Sequence, residues 1–274
     1  MAREPYRLAR VDVVLRALLP PSFAGDPAVA VHAALHRLIE IVNPLLGRRI
    51  HGEAVKSLVI GPLRDAHSGA PVSGRPVTSR PMLVRLGLLN SDSVLSGLRA
   101  LELWKRERLA IMLDGVPFAV EDVQPASPRE PGAGFVQSYA QIASSAEPTK
   151  QLHMRFTSPT LVRHRQHAIQ EISPQHLFNS YARRWNTFAP PDLAAIELDE
   201  GTLNANVRIL RRDLTRTSTH ASRFGESGFV GEIVLAVGGS EAFRRHLHIL
   251  ALYAEYAGTG SRTAFGMGET QLVC

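Results

Sequence analysis

The 274-residue chain has a single cysteine, few lysines and no long apolar run. One cysteine, Cys274, supports neither an internal disulfide framework nor a cysteine-based zinc site, and it is assigned no role. No apolar stretch reaches the roughly 18 to 20 residues of a membrane span, and the opening MAREPYRLARVD lacks the apolar core of a secretion signal. The expected location is therefore the cytoplasm, with no membrane partner. Charged residues make up 20% and apolar residues 45%, a balance that suits a globular chain and excludes a disordered one. The length allows one large domain or two small ones.

What is abundant is arginine. Lys+Arg number 31 against 25 Asp+Glu, a formal charge of +6, and lysine contributes only Lys56, Lys105 and Lys150. A basic balance favours a polyanionic partner. Guanidinium forks grip phosphate bidentately and stack on bases, which suits nucleic acid. A GC-rich genome would also raise arginine over lysine, so composition by itself stops at a basic protein.

Periodicity gives more. Residues 6–19 (YRLARVDVVLRALL) alternate as a strand. From Asp26 to about Leu46 an Asp cap and a Pro at N1 precede apolar residues at helical spacing. AVKSLVIGPL and PMLVRLGLL read as strands joined by a long Gly/Pro/Ser loop. SDSVLSGLRALELWK reads as a helix capped by Ser91 or Asp92, and LAIMLDGVPFAVEDVQ as a strand folded at Asp114-Gly115. After PASPREPGAGF the order repeats: strand KQLHMRFTSPTLV, helix SPQHLFNSYARRWNTF capped by Ser173, strands LNANVRILRRDLTR and GFVGEIVLAVGG, helix SEAFRRHLHILALYAEYAG capped by Ser240 and stopped by Gly258, and a last strand ETQLV. This predicts an α+β protein of two tandem ferredoxin-like (RRM-like, βαββαβ) domains, residues 1–130 and 131–274.

The glycine-rich loop GTGSRTAFGMG (258–268) follows a helix and precedes a strand. A dinucleotide loop has the reverse order, so a nucleotide cofactor is not expected. Missing side chains let another backbone approach, and Ser261, Arg262 and Thr263 offer donors to phosphate oxygens. A plain helix-to-strand connection is the alternative.

GFVG at 228–231, the helix ending in YAG, and GTGSRTAFGMG together resemble the C-terminal signature of the CRISPR-associated endoribonucleases that process precursor crRNA, the Cas family numbered six of the RAMP superfamily. FTSPT (156–160) followed by SPQHLFNSYARRWNTF is similar to a second motif of that family. The resemblance implies a metal-independent, cofactor-free cut in each CRISPR repeat RNA, with 5′-OH and 2′,3′-cyclic phosphate ends. A non-catalytic RAMP-type scaffold subunit is the alternative. A CRISPR interference complex and a second copy of the chain are further candidate partners.

RNA supplies its own nucleophile, the 2′-OH, so cutting needs a base, an acid and a cation. Histidine suits both proton transfers. The resemblance places the family's histidine at His51 and its lysine at Lys56, one residue closer than in the archaeal pattern, with His36 where a tyrosine is common. His32 and His36 at i, i+4 also read as half a metal site or as exposed histidines. Candidate RNA contacts are Arg48, Arg49, Arg163, Arg165, Arg211, Arg212 and Arg216, with Gly258, Gly260, Ser261, Arg262, Thr263, Gly266 and Gly268 of the glycine loop. Trp185 and Phe188 read as core.

Overall fold

The computed structural model describes residues 6–23, 27–72, 80–126, 136–164, 167–168, 172–218 and 227–273. Asp26, Arg165, His220 and Cys274 lie outside the described residues.

The first half runs β1 (Arg7–Ala17), α1 (Pro27–Val42), α2 (Pro44–Gly52), β2 (Leu58–Ile60), β3 (Arg64–Asp65), β4 (Met82–Leu88), α3 (Ser91–Arg106), β5 (Ala110–Leu113) and β6 (Val116–Pro125). Its sheet has the order β2-β4-β1-β6-β5, every pairing antiparallel, with the two-residue β3 beside β4. Then come β7 (Val136–Ser138), α4 (Tyr139–Ser145), β8 (Gln151–Thr160), the small pair β9 (Arg163–His164) and β10 (His167–Ala168), α5 (Pro174–Phe188), α6 (Glu200–Asn206), β11 (Val207–Ser218), β12 (Ser227–Val237), α7 (Glu241–Ala257) and β13 (Thr270–Val273). The second sheet has the order β11-β12-β8-β13. With β5 set aside as the hairpin partner of β6, both sheets place their main strands in the order second, third, first, fourth. That is the ferredoxin-like arrangement, and it occurs twice.

The sequence expectation of one helix from Asp26 to Leu46 is corrected at Asn43. Pro44 cannot donate an amide and disfavours helical geometry before it, so Asn43 leaves the helix (φ −145°) and its side chain accepts from Leu46 N at 3.1 Å. α1 ends and α2 begins at this one residue. α2 folds back on α1 closely enough that a Cβ on Gly47 would sit 2.8 Å from Cβ of Glu40. The cap of α3 is Asn90 rather than Ser91 or Asp92, accepting from Ser93 N at 2.8 Å. Ser173 and Ser240 cap α5 and α7 as expected, and Gly258 ends α7 at φ 65°.

Each unit buries one sheet face under its helices. The first core gathers Val11, Val13, Leu35, Leu38, Leu86, Leu101 and Phe118; the second gathers Met154, Phe156, Phe178, Tyr181, Trp185, Leu250 and Tyr253. Trp185 is 1% exposed and Phe188 8%, so both are core residues. β7 and α4 belong to both units. β7 pairs with the start of β1, while Tyr139 packs edge-on to Trp185 and donates to Leu89 O at 2.7 Å.

The contact between the units is close and polar. Gly87 of β4 lies against the Tyr256 carbonyl of α7, where any Cβ would overlap that oxygen. Beside it, Glu269 is 7% exposed; its Oε2 accepts from Arg64 at 2.6 Å and its Oε1 from Arg85 at 3.0 Å, while Arg85 also grips Asp12 bidentately at 2.7 Å. Glu269 N donates to Ser158 Oγ at 2.8 Å. Glu269 thus joins β3 and β4 of the first unit, through its carboxylate, to β8 of the second, through its amide.

Candidate active site

The helical hairpin of α1 and α2 brings His36 and His51 together. Their rings meet edge to face with centroids 5.3 Å apart, and His32, one turn earlier on α1, lies 6.2 Å from His36. His51 is exposed in the last turn of α2, whereas His32 and His36 are partly buried. The reading of His32 and His36 as exposed histidines is therefore corrected. His32 packs against Phe265 of the glycine loop with ring centroids 4.2 Å apart.

Burial lowers the pKa of His36 below its ordinary value, and the nearby His51 adds to the effect. Burial, with His36 next to it, lowers His32 to about 4. Nε2 of His36 and Nδ1 of His32 are shielded and have no hydrogen-bond partner. An orphaned polar atom inside a protein is rare enough to need a reason. Here two neighbouring imidazoles are held neutral, each with a nitrogen uncommitted. Among the described residues no group of three or more His, Cys, Asp or Glu is placed to hold a metal ion.

Lys56 stands beside the pair but is engaged. Its Nζ donates to the carbonyls of His51 at 2.7 Å and Ile50 at 3.1 Å, closing the C-terminus of α2. Two of its three N–H groups are used, which leaves one for a ligand. Its own carbonyl is 3.5 Å from Nη2 of Arg184, a buried side chain whose other arm donates to the Ala257 and Gly258 carbonyls at the end of α7. Arg184 therefore ties α5, α7 and the Lys56 segment together, while the neighbouring Arg183 is exposed.

The glycine loop is largely an interface element. Ile60 N donates to Thr263 O at 2.8 Å and Gly266 N donates to Ile60 O at 2.9 Å, so the loop pairs with β2 of the other unit. Gly266 (φ 80°) faces Ala28 at the start of α1, where a Cβ would come within 2.6 Å. Gly258, Thr263, Gly266 and Gly268 are buried; Gly260, Ser261 and Arg262 are partly exposed, and Arg262 adopts φ 60°. Ser261 N donates to Leu161 O at 2.7 Å, which pins the loop to the end of β8.

The candidate arginines divide by how they are engaged. Arg48 and Arg49 are exposed on α2 beside His51, with Arg49 paired to Asp92 at 2.5 Å. Arg211 is paired with Asp213 and Glu232, Arg212 donates to Ile172 O, and Arg216 is exposed on β11. Arg163 is exposed just beyond β8.

In the sequence His32 reads only as a metal or surface residue, and Phe265 carries no assigned role. An aromatic among glycines and small polar residues was the available signal.

The neutral His32 makes stability pH-dependent. Its folded pKa lies below the ordinary 6.5, so below pH 6.5 the unfolded chain takes up a proton that the folded chain refuses until about pH 4. Stability is expected to fall over that window and level off below it. His32→Phe keeps a ring against Phe265 and should flatten this segment of a urea-midpoint-versus-pH curve; an unchanged curve would place the titration elsewhere.

Residues 154–270 match the family described as CRISPR-associated endoribonuclease Cas6. Among curated proteins, none matches the sequence. Solved structures do. A Thermus thermophilus Cas6 in a product complex superposes with a TM-score of 0.79 at 20% identity, covering 97% of this chain and 100% of that chain. A Cas6-related protein from Pyrococcus furiosus gives 0.66 at 11% identity, covering 97% and 98%. A structure described as a RAMP protein binding different RNA substrates gives 0.64 at 14% identity, covering 97% and 100%. No helix among the described residues is long and apolar enough to cross a membrane. The chain is thus similar to the CRISPR-associated endoribonucleases called Cas6 in the sequence of residues 154–270, and it shares the fold of the solved Cas6 structures along nearly its whole length.

Proposed function

We propose that this chain binds CRISPR repeat RNA and cuts precursor crRNA within each repeat, using the RNA's own 2′-OH. The observation that carries the reading is the His36–His51 pair, with the Lys56 ammonium on the His51 carbonyl. His36, biased toward the neutral ring, takes the 2′-OH proton as the 2′-oxygen bonds to the adjacent phosphorus. The P–O5′ bond breaks, and protonated His51 gives its proton to the leaving oxygen. The products are a 2′,3′-cyclic phosphate and a 5′-OH. Lys56, with one N–H uncommitted among the described residues, and the exposed Arg48 are the candidate cations for the charge on the phosphorane. This route requires no metal.

The test is incubation of the purified protein with end-labelled repeat RNA in EDTA, next to the same RNA carrying a 2′-deoxy sugar at each candidate position. One cut in EDTA, abolished by a single deoxy position, is the expected result. Tight binding without a cut would make the chain a scaffold subunit.

A further inference from the structure

A second concavity lies where the start of the glycine loop meets α5. It encloses about 280 Å³ and is walled on one side by Gly260, Ser261, Val162 and Arg163, and on the other by α5. The loop wall is fixed: Ser261 is bonded to Leu161, and a Cβ on Gly260 would overlap the Leu161 carbonyl. The α5 wall presents Gln175, Asn179 and Arg183, four residues apart and so on one helix face, with His176 and Ser180 beside them. The side chains of Gln175, Asn179 and Arg183 make no hydrogen bond or ion pair among the described residues, although each is able to. His176 is oriented by Ser173, whose Oγ lies 2.6 Å from Nδ1 and also receives the His176 amide.

The chemistry of this cavity is that of a nucleotide. No Phe, Tyr or Trp lines it, so a base would be held by its polar edge rather than by stacking. Two free amides supply paired donors and acceptors, and two arginines stand at the margins for phosphate. The same loop borders both places. Four residues separate Ser261 on the cavity wall from Phe265, which packs on His32, a span of at most about 14 Å, so one RNA strand engaged at the histidines can run on to this cavity over a few nucleotides.

We propose that the cavity takes the base of one unpaired nucleotide flanking the cut, with its phosphate between Arg163 and Arg183 and its edge read by Gln175 and Asn179. The inference rests on the ribonuclease reading above. A side-chain amide matches the N6/N7 edge of adenine bidentately, so adenine is the base expected.

The experiment measures affinity of the full chain for repeat RNA made uncleavable by one 2′-deoxy sugar, with each nucleotide in turn made abasic. Wild-type protein should lose about tenfold or more at one unpaired adenosine. The Gln175→Ala/Asn179→Ala protein should lose a similar factor on intact RNA and nothing further on that abasic RNA. Asn179→Asp, nearly isosteric, should show the same insensitivity. Additive losses, or sensitivity confined to paired positions, would overturn the base-reading pocket while leaving the ribonuclease reading standing. No binding of intact RNA by the wild-type protein would overturn both.

Discussion

His51→Ala should slow cleavage of repeat RNA by about 10²- to 10⁴-fold, the range lost with one proton-transfer group, while affinity for uncleaved RNA changes by no more than a few-fold. His36→Ala should do the same. The distinction lies in which partner is lost. His36 is held neutral by burial, so the acidic limb of the pH–rate profile should lie below the ordinary histidine value of 6.5 and should vanish with His36. The double variant should be little worse than either single one, because the two rings serve one displacement. Cutting by the His51→Ala protein at the wild-type rate would remove His51 from the site and leave the helical hairpin without its proposed chemistry.

The second large effect is expected at Glu269, which takes no part in the proposed proton transfers. Glu269→Ala leaves Arg64 and Arg85, with side chains 16% and 23% exposed, facing each other without the carboxylate between them. Breaking a buried pair in this way costs about 3 to 5 kcal/mol, readable as a lower urea midpoint. Burial alone would raise the Glu269 carboxyl, but Arg64 and Arg85 hold it below its ordinary value of 4.5. The stability it contributes is therefore complete above pH 4.5 and is lost as pH falls through the folded value. Glu269→Gln should lack that acid-sensitive step. A Glu269→Ala protein as stable as wild type would mean that the two units do not depend on this ion cluster to stay joined.

Much of the fold was legible because local patterns carry it. Ser173-Pro174 and Ser240 announce α5 and α7, alternation marks β1, β4, β8 and β12, and the element order repeats. The break at Asn43-Pro44 was written in the sequence too, but the apolar spacing continues through Leu46 and Ile50 and hid it. The short helices α4 and α6 hold too few turns for a period to show. At the site, His36 and His51 could be picked by resemblance, whereas the burial of His32 could not. Its covering residue, Phe265, comes from the other end of the chain, and no local pattern links the two. The same holds for Glu269, which looked like the ordinary first residue of a strand and proved to be the bond between units. Lys56 was found, but its engagement with the α2 carbonyls depends on a turn that residue spacing does not reveal.

The pairing of the glycine loop with β2 also has a bearing on time. α1, α2 and β2 leave the ribosome before the glycine loop, with His36 and His51 already on one helical hairpin. The surface that covers His32 and fixes β2 is made of Thr263, Phe265 and Gly266, which are synthesised only after α7. Until those residues are made, His32 lacks the ring that packs against it. The proposed ribonuclease site is in this way built on a hairpin whose backing is added later in synthesis than the hairpin itself.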